Sequence, residues 1–507
     1  MAEWVFWVPL LPALAAFWIG LGLLAGWNRG ERGERATARV ASWAVGASLG
    51  VILGLDLHAL LSGTVPGSIR LLPWIDTTGF RVMISFTLDR LALSMTTLAA
   101  LLAWLTIRFS VNYLHREAGF HRFFACLTLF ISGLLLFLTA GNGVLAFVGW
   151  ELMGLTSYLL IGYAVDRPTA TRNATRVFVT NRLGDAGFTV AMLLAYTWLG
   201  SSEWTDILGG FSLLSSMQFG ILSGGFLLAA LVKSSQFPFA AWIGRALEGP
   251  TPSSAIFYGS LMVHAGVYLL LRLEGLIGRS PFLMVVLILL GALTAVYGLL
   301  VGLVQTDVKS ALICATQTQV GLMFLACGLG WFEWAAWHMA LHASWRAYQF
   351  LSAPSYMHFL DGPTAPVWAG LHGQQRLFAA AQARFWLDPL ADLLITRPSQ
   401  SLARDVQSLE DRLFNRLLGS NAMERILFGR AISSGESIPG GVGLPGGGLA
   451  YLANRLSGLE ERIVGLGGEG MLTTVAGLGR TLMRIDRLFS EPRYLVMIIL
   501  LTFSVIL

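Results

Sequence analysis

The chain has 507 residues, 55% of them apolar and only 12% charged, with a formal net charge of +5. A soluble domain carries about 25% charged residues, so this composition argues against a water-soluble enzyme and for an all-α, polytopic integral membrane protein. The positive balance comes mostly from arginines in loops and in a C-terminal region, which membrane topology explains more economically than a nucleic-acid partner.

In chain order, apolar windows of about 20 residues predict spans near 4–26, 39–62, 85–109, 124–141, 142–165, 174–199, 220–242, 251–273, 282–304, 308–330 and 333–359. The first, within "MAEWVFWVPLLPALAAFWIGLGLLAGW", is too long for a cleaved signal peptide and lacks its basic lead. Arg29, Arg32, Arg35 and Arg39 follow span 1, Arg116 and Arg122 span 3, and Arg167, Arg172 and Arg176 span 5. These alternate loops are expected on the cytoplasmic side, with the N-terminus outside, although Arg70 and Arg81 in the loop 63–84 run against that bias.

After residue 359 the character changes. Residues 360–492 are rich in Arg, Glu, Gln and Gly and include the flexible "SSGESIPGGVGLPGGG" at 433–448. The segments 409–419, 459–468 and 484–493 repeat an amphipathic theme, suited either to a membrane or partner surface or to a solvated tail packing on its own protein. Residues 493–507 read as a short C-terminal membrane anchor. Cys126, Cys314 and Cys327 lie in apolar runs without metal-ligand spacing, so no metal, disulfide or cofactor is predicted and any electron transfer belongs to a partner.

Charges inside apolar segments are expensive and point to function. Of the 34 basic residues only Lys233 and Lys309 are lysines. Lys233 interrupts "AALVKSSQFPFAAWI", with Pro238 one turn beyond and "EGPTP" at 248–252, the pattern of a helix broken at membrane depth. Glu151 has no charge within ten residues on either side, so it needs a partner from another helix, and Lys233 is the expected one. Lysine, unlike arginine, can release a proton when desolvated. His264, and the pair His338 and His342 at i, i+4 with Arg346 one turn further, extend the series. Each histidine reads either as a relay or as a hydrogen-bonded structural group. Arg182 with Asp185, and Asp307 with Lys309, read as charges at helix ends, and the latter pair also as a salt-bridged helix start.

The motifs "FTLDRLALSM", "FVGWELMGLTSYLLIGY", "NRLGDAGF", "VKSSQFPFAAWI", "EGPTPSSA", "TDVKSALICATQTQVG" and "HMALHASWRAYQFL" stand in the order found in one family. Over roughly 85–352 the chain resembles the largest antiporter-like membrane subunit of respiratory complex I, a family shared with Mrp-type cation/proton antiporters and membrane-bound hydrogenases. The resemblance implies two inverted five-helix repeats, each with a broken helix, and a line of charges along the membrane midplane. It matches Glu151, Lys233, Asp185, His338 and His342 to the family's glutamate, central lysine, sixth-helix aspartate and paired histidines. The segment "RFWLDPLADLLITRP" at 384–398 also resembles a late family motif.

Departures accompany it. Tyr258 stands where the family has a histidine, removing a proton acceptor, and His264 is gained six residues on. Arg346 replaces a lysine, and arginine scarcely gives up its proton. The second repeat is incomplete. The implied organisation is 1–84 N-terminal helices, 85–246 a first antiporter-like repeat, 247–359 a partial second repeat, 360–492 a surface region and 493–507 an anchor. Two functions follow: an ion-translocating, chiefly proton-translocating, subunit of a redox-driven complex in a bacterial-type inner membrane, or an ion-gradient-coupling subunit of a two-component inorganic-carbon uptake complex. Both imply other membrane subunits and the lipid bilayer as partners.

Overall fold

The computed structural model describes residues 2–77, 79–259, 262–353 and 374–418. The chain divides into two compact units, Met1–Thr396 and Arg397–Leu507. Of the second, the described element is a single helix, α17 (Arg397–Leu418), in which charged and apolar residues recur at helical spacing. The predicted amphipathic segments at 459–468 and 484–493, the linker at 433–448 and the anchor at 493–507 lie outside the described residues.

Among its described residues the first unit is helical apart from one hairpin. Its elements in order are α1 (Trp7–Ala25), α2 (Gly30–Ser62), β1 (Gly67–Thr77), β2 (Phe80–Leu88), α3 (Arg90–Tyr113), α4 (Phe120–Thr139), α5 (Gly143–Ile161), α6 (Pro168–Leu199), α7 (Trp204–Gly210) and α8 (Ser216–Lys233). After α8 come a 3-10 stretch Phe239–Glu248, the short α9 (Thr251–Ser254), α10 (Ala265–Arg272), α11 (Glu274–Ile277), α12 (Pro281–Gly302), α13 (Val308–Gly328) and α14 (Phe332–Ser352). α15 (Gln375–Gln382) and α16 (Leu387–Ala391) complete it. Among the described residues eight helices are long and apolar enough to cross a membrane: α1 with its leading turn, α2, α3, α4, α5, α8, α12 and α13. α6 carries Arg172, Arg176, Arg182 and Asp185, α14 carries Glu333, Arg346 and two histidines, and the predicted span 251–273 is not one helix.

Helix starts follow local chemistry. The Asp89, Asn142, Ser280 and Asp307 side chains accept the backbone N–H three residues on, capping α3, α5, α12 and α13. Ser215 and Gln218 form a reciprocal capping box at α8. The segment 63–84, read from sequence as a loop, instead enters an antiparallel hairpin of β1 and β2 with two register irregularities. Its strands are too short to register in a 20-residue window, but "RVMISFTL" alternates, burying Val82, Phe86 and Leu88.

α4 is buried on nearly every side, between α1, α5 and α3, and α5 leads through α6 to α8. α12, α13 and α14 form a second packed group. Backbones come very close where glycines face each other. A Cβ at Gly149 would stand 2.5 Å from the Gly133 carbonyl oxygen and 2.6 Å from the Phe137 nitrogen, so α5 lies directly against α4.

Candidate functional site

α8 ends at Lys233, one turn earlier than Pro238 alone implies. Ser235 takes a left-handed conformation (φ 53°) and the chain turns into the 3-10 stretch. The backbone groups near the break find side chains. The Trp242 indole donates to the Val232 carbonyl (2.8 Å), Gln317 of α13 donates to the Ala240 carbonyl (2.9 Å), and the Phe237 N–H donates to Thr294 Oγ1 of α12 (2.9 Å). Non-helical backbone at membrane depth persists only with such partners. Gln317 and Thr294 escaped the sequence reading because a neutral polar residue in an apolar helix signals nothing until its neighbour is known.

The Lys233 side chain is 1% exposed. Its Nζ donates to the Trp150 carbonyl oxygen (3.1 Å) and lies 4.7 Å from the centroid of the Trp150 ring, a cation–π contact. The same indole donates through Nε1 to Asp185 Oδ1 (2.7 Å). Glu151, beside Trp150 on α5, is not ion-paired with Lys233 as expected. Its Oε2 accepts from Arg182 Nη2 at 2.5 Å, and Arg182 Nε lies 3.0 Å from Asp185 Oδ2. Arg182 and Asp185 therefore sit mid-helix in the 32-residue α6 and not at a helix end, a correction that follows from α6 running from Pro168 to Leu199. Arg182 reaches Glu151 because α5 and α6 pack side by side, whereas the Lys233 ammonium is turned onto the Trp150 backbone. Arg182 Nη2 and Lys233 Nζ each lie 3.5 Å from where a Cβ at Gly154 would stand, so both cations flank the bare backbone one turn past Glu151. Glu151 Oε1 is buried without a hydrogen-bond partner among the described residues.

A second cluster starts across the break. Ser234, adjoining Lys233, accepts from the Gly266 N–H through its Oγ (3.1 Å). Two residues before Gly266, His264 is fully buried, and its Nε2 is 2.9 Å from His342 Nδ1 of α14. Arg346 approaches the other nitrogen of His342 at 3.3 Å. His338 points to Gln319 of α13 (2.8 Å). The sequence signal for the pairing of His264 with His342 was absent, since 78 residues separate them. Residues 251–273 are divided by a π turn at Ala255–Gly259 and a turn at 262–264, and this places His264 at the start of a helix. Tyr258 donates its hydroxyl to the Ile243 carbonyl (2.9 Å).

Asp307 caps α13 through Ser310 N–H, but Lys309 leaves it and donates to Thr251 Oγ1 (2.6 Å), so the two residues are no salt-bridged start. The late motif supplies a clamp. Asp392 pairs with Arg176 of α6 (2.8 Å), and Asp388 lies 3.5 Å from both Arg245 and Arg384.

The family model described as "NADH:quinone oxidoreductase/Mrp antiporter, TM" matches residues 140–365, and that described as "NADH-Ubiquinone oxidoreductase (complex I), chain 5 N-terminus" matches 74–124. NADH-quinone oxidoreductase subunit L of Mycobacterium tuberculosis strain H37Rv is 37% identical over 287 residues, 56% of this chain and 45% of that protein. The chloroplastic NAD(P)H-quinone oxidoreductase subunit 5 of Chaetosphaeridium globosum is 34% identical over 362 residues, 70% of this chain and 53% of that protein. The chain thus spans about half the length of these curated relatives. A chain of the Mrp complex from Dietzia sp. DQ12-45-1b has a TM-score of 0.59 and 27% identity, over 68% of this chain and 37% of that one. The first of these models spans the helices that carry both polar clusters, the second covers the hairpin and α3 before them, and the chain belongs to the family of antiporter-like membrane subunits shared by NADH:quinone oxidoreductase and Mrp antiporters.

Proposed function

We propose that the chain is a proton-translocating membrane subunit of a redox-driven respiratory or hydrogenase-like complex, without a redox centre of its own, in a bacterial-type cytoplasmic membrane. In this reading residues 85–246 are one antiporter-like unit and 247–359 a partial second.

The observation that carries the reading is Lys233, a fully buried lysine at the C-terminal end of a membrane helix with no carboxylate ion-paired to it among the described residues. Static helix glue would place a carboxylate on the ammonium. Here the two nearby carboxylates are held by Arg182 and Trp150, while Lys233 rests on a carbonyl and an indole face. Lys233 gives and takes the proton at Nζ, Glu151 accepts at the unpartnered Oε1, and Arg182 holds the other carboxylate oxygen and fixes the local charge. His264 and His342, adjoining across the break, continue the path by exchanging a proton between imidazole nitrogens, with Arg346 tuning their charge.

The test is proton flux in vesicles holding the assembled complex. Lys233→Arg retains the charge and removes the exchangeable proton, so driven flux is expected to fall by roughly tenfold or more, the scale of a lost proton-transfer group. Unchanged flux with normal assembly defeats the relay.

A further inference from the structure

α13 and α14 bound an open groove of about 580 Å³, lined by Gln319, His338, Leu341, His342, Trp345 and Arg346 among others. Arg346 is only 4% exposed, turned inward onto His342, and no carboxylate among the described residues lies within ion-pair distance of it. Two more polar atoms of the lining, His338 Nδ1 and Gln349 Oε1, are buried without a hydrogen-bond partner among the described residues. Leu341 and Trp345 of the lining belong to an exposed stripe at helical spacing along α14 that also holds Trp334, Trp337 and Tyr348.

Lipid covers apolar residues without difficulty. It does not satisfy an imidazole, a carboxamide or a guanidinium at membrane depth, and indole N–H groups along a helix's length likewise favour a polar neighbour. A buried arginine with no anion calls for one, and the wall is a helix face long enough to lie along another helix.

We infer that this groove is the docking site for a transmembrane helix of a partner subunit, and that this helix presents an aspartate or glutamate to Arg346. Arg346 donates to that carboxylate from its guanidinium, the tryptophan stripe packs against the apolar flanks of the incoming helix, and the pairing closes the groove on its lipid side. The inference rests on the reading of the chain as one subunit of a larger membrane assembly, and not on proton transfer through it.

The test uses the full chain in its native membrane with the photoreactive residue benzoyl-phenylalanine at Leu341, and at Leu289 on α12 as a control of similar exposure. Crosslinked peptides are sequenced by mass spectrometry. The expected result is one membrane-helix peptide of a different chain, bearing an acidic residue, from Leu341 and not from Leu289. Arg346→Gln is expected to lower that yield by roughly tenfold, the effect of about 1.4 kcal/mol, and Arg346→Lys to retain most of it. Arg346→Glu combined with arginine at the partner's acidic position restores the yield, which a misfolded chain could not do. Crosslinks to lipid or to this chain alone, a partner helix without an acidic residue, or failure of the reciprocal exchange each overturn the inference. Loss of flux in Lys233→Arg with an intact crosslink, or the converse, separates this proposal from the relay.

Discussion

The Glu151 carboxylate accepts a 2.5 Å hydrogen bond from Arg182 Nη2 across α5 and α6, and Nε of the same guanidinium lies 3.0 Å from Asp185 Oδ2. One cation therefore serves two carboxylates, and the Trp150 indole binds the second of them. Removing the guanidinium leaves two anions close together with Lys233 as the nearby cation. Arg182 is partly exposed, so the loss is smaller than for a fully buried pair, and Arg182→Gln is expected to destabilise the protein by about 1–2 kcal/mol. Thermal unfolding in detergent measures it. Adding Glu151→Gln to Arg182→Gln should recover part of the loss, and strict additivity of the two changes would show that the pair is not coupled.

Close helix packing positions this constellation. A methyl group at Gly149 meets the backbone of α4 at 2.5 Å, where no side chain can swing aside. Gly149→Ala should therefore push α5 off α4, cost about 1–3 kcal/mol, and displace Trp150 and Glu151 together. A variant with wild-type melting temperature and wild-type proton flux would contradict the packing account.

Glu203, in the turn between α6 and α7, is buried and accepts from Ser85 (3.0 Å) and Asn142 (3.3 Å), stapling β2 to the start of α5. Burial pushes its carboxyl above the ordinary glutamate value, and the hydrogen bonds from Ser85 and Asn142 and the nearby Arg70 only partly offset it. The native state thus holds this proton more tightly than the unfolded chain does. Its contribution to stability is fully present below the ordinary value and is lost as pH rises through the raised native one. Glu203→Gln, which retains an acceptor oxygen and cannot ionise, should flatten that part of the stability–pH curve. Denaturation profiles of the two proteins across mildly acidic pH decide it, and parallel curves would reject the assignment.

Asp388 and Asp392 hold the late segment to Arg245 in the stretch after the α8 break and to Arg176 on α6. These are partly exposed pairs, worth about 0–1 kcal/mol each, so global stability should barely move in the double change Asp388→Asn with Asp392→Asn. Local order should respond more. Trypsin cleavage after Arg384 is expected to accelerate several-fold, and an unchanged cleavage rate would mean that apolar packing of Leu387 holds the segment unaided.

The sequence by itself determined the class of protein, most of the helices and which ionisable residues lie within apolar segments. Long apolar runs have one stable solution in lipid, in which every backbone group bonds within its own helix, so spans can be read locally. A lysine retained where nearly every other cation is arginine, followed by proline, marks the broken helix for the same local reason. Which charge meets which is not local. Arg182 displaced Lys233 as the partner of Glu151 because α5 lies against α6 while the Lys233 ammonium turns onto the Trp150 carbonyl, and His264 found His342 because α10 begins only after it and sets it against α14. The hairpin of β1 and β2, the stitching of the break by Thr294 and Gln317, and the turn of Arg346 onto His342 in its groove were likewise decided by tertiary structure. Helix periodicity fixes where a side chain stands on its own helix, but the low-dielectric partner it must find comes from packing between segments tens of residues apart.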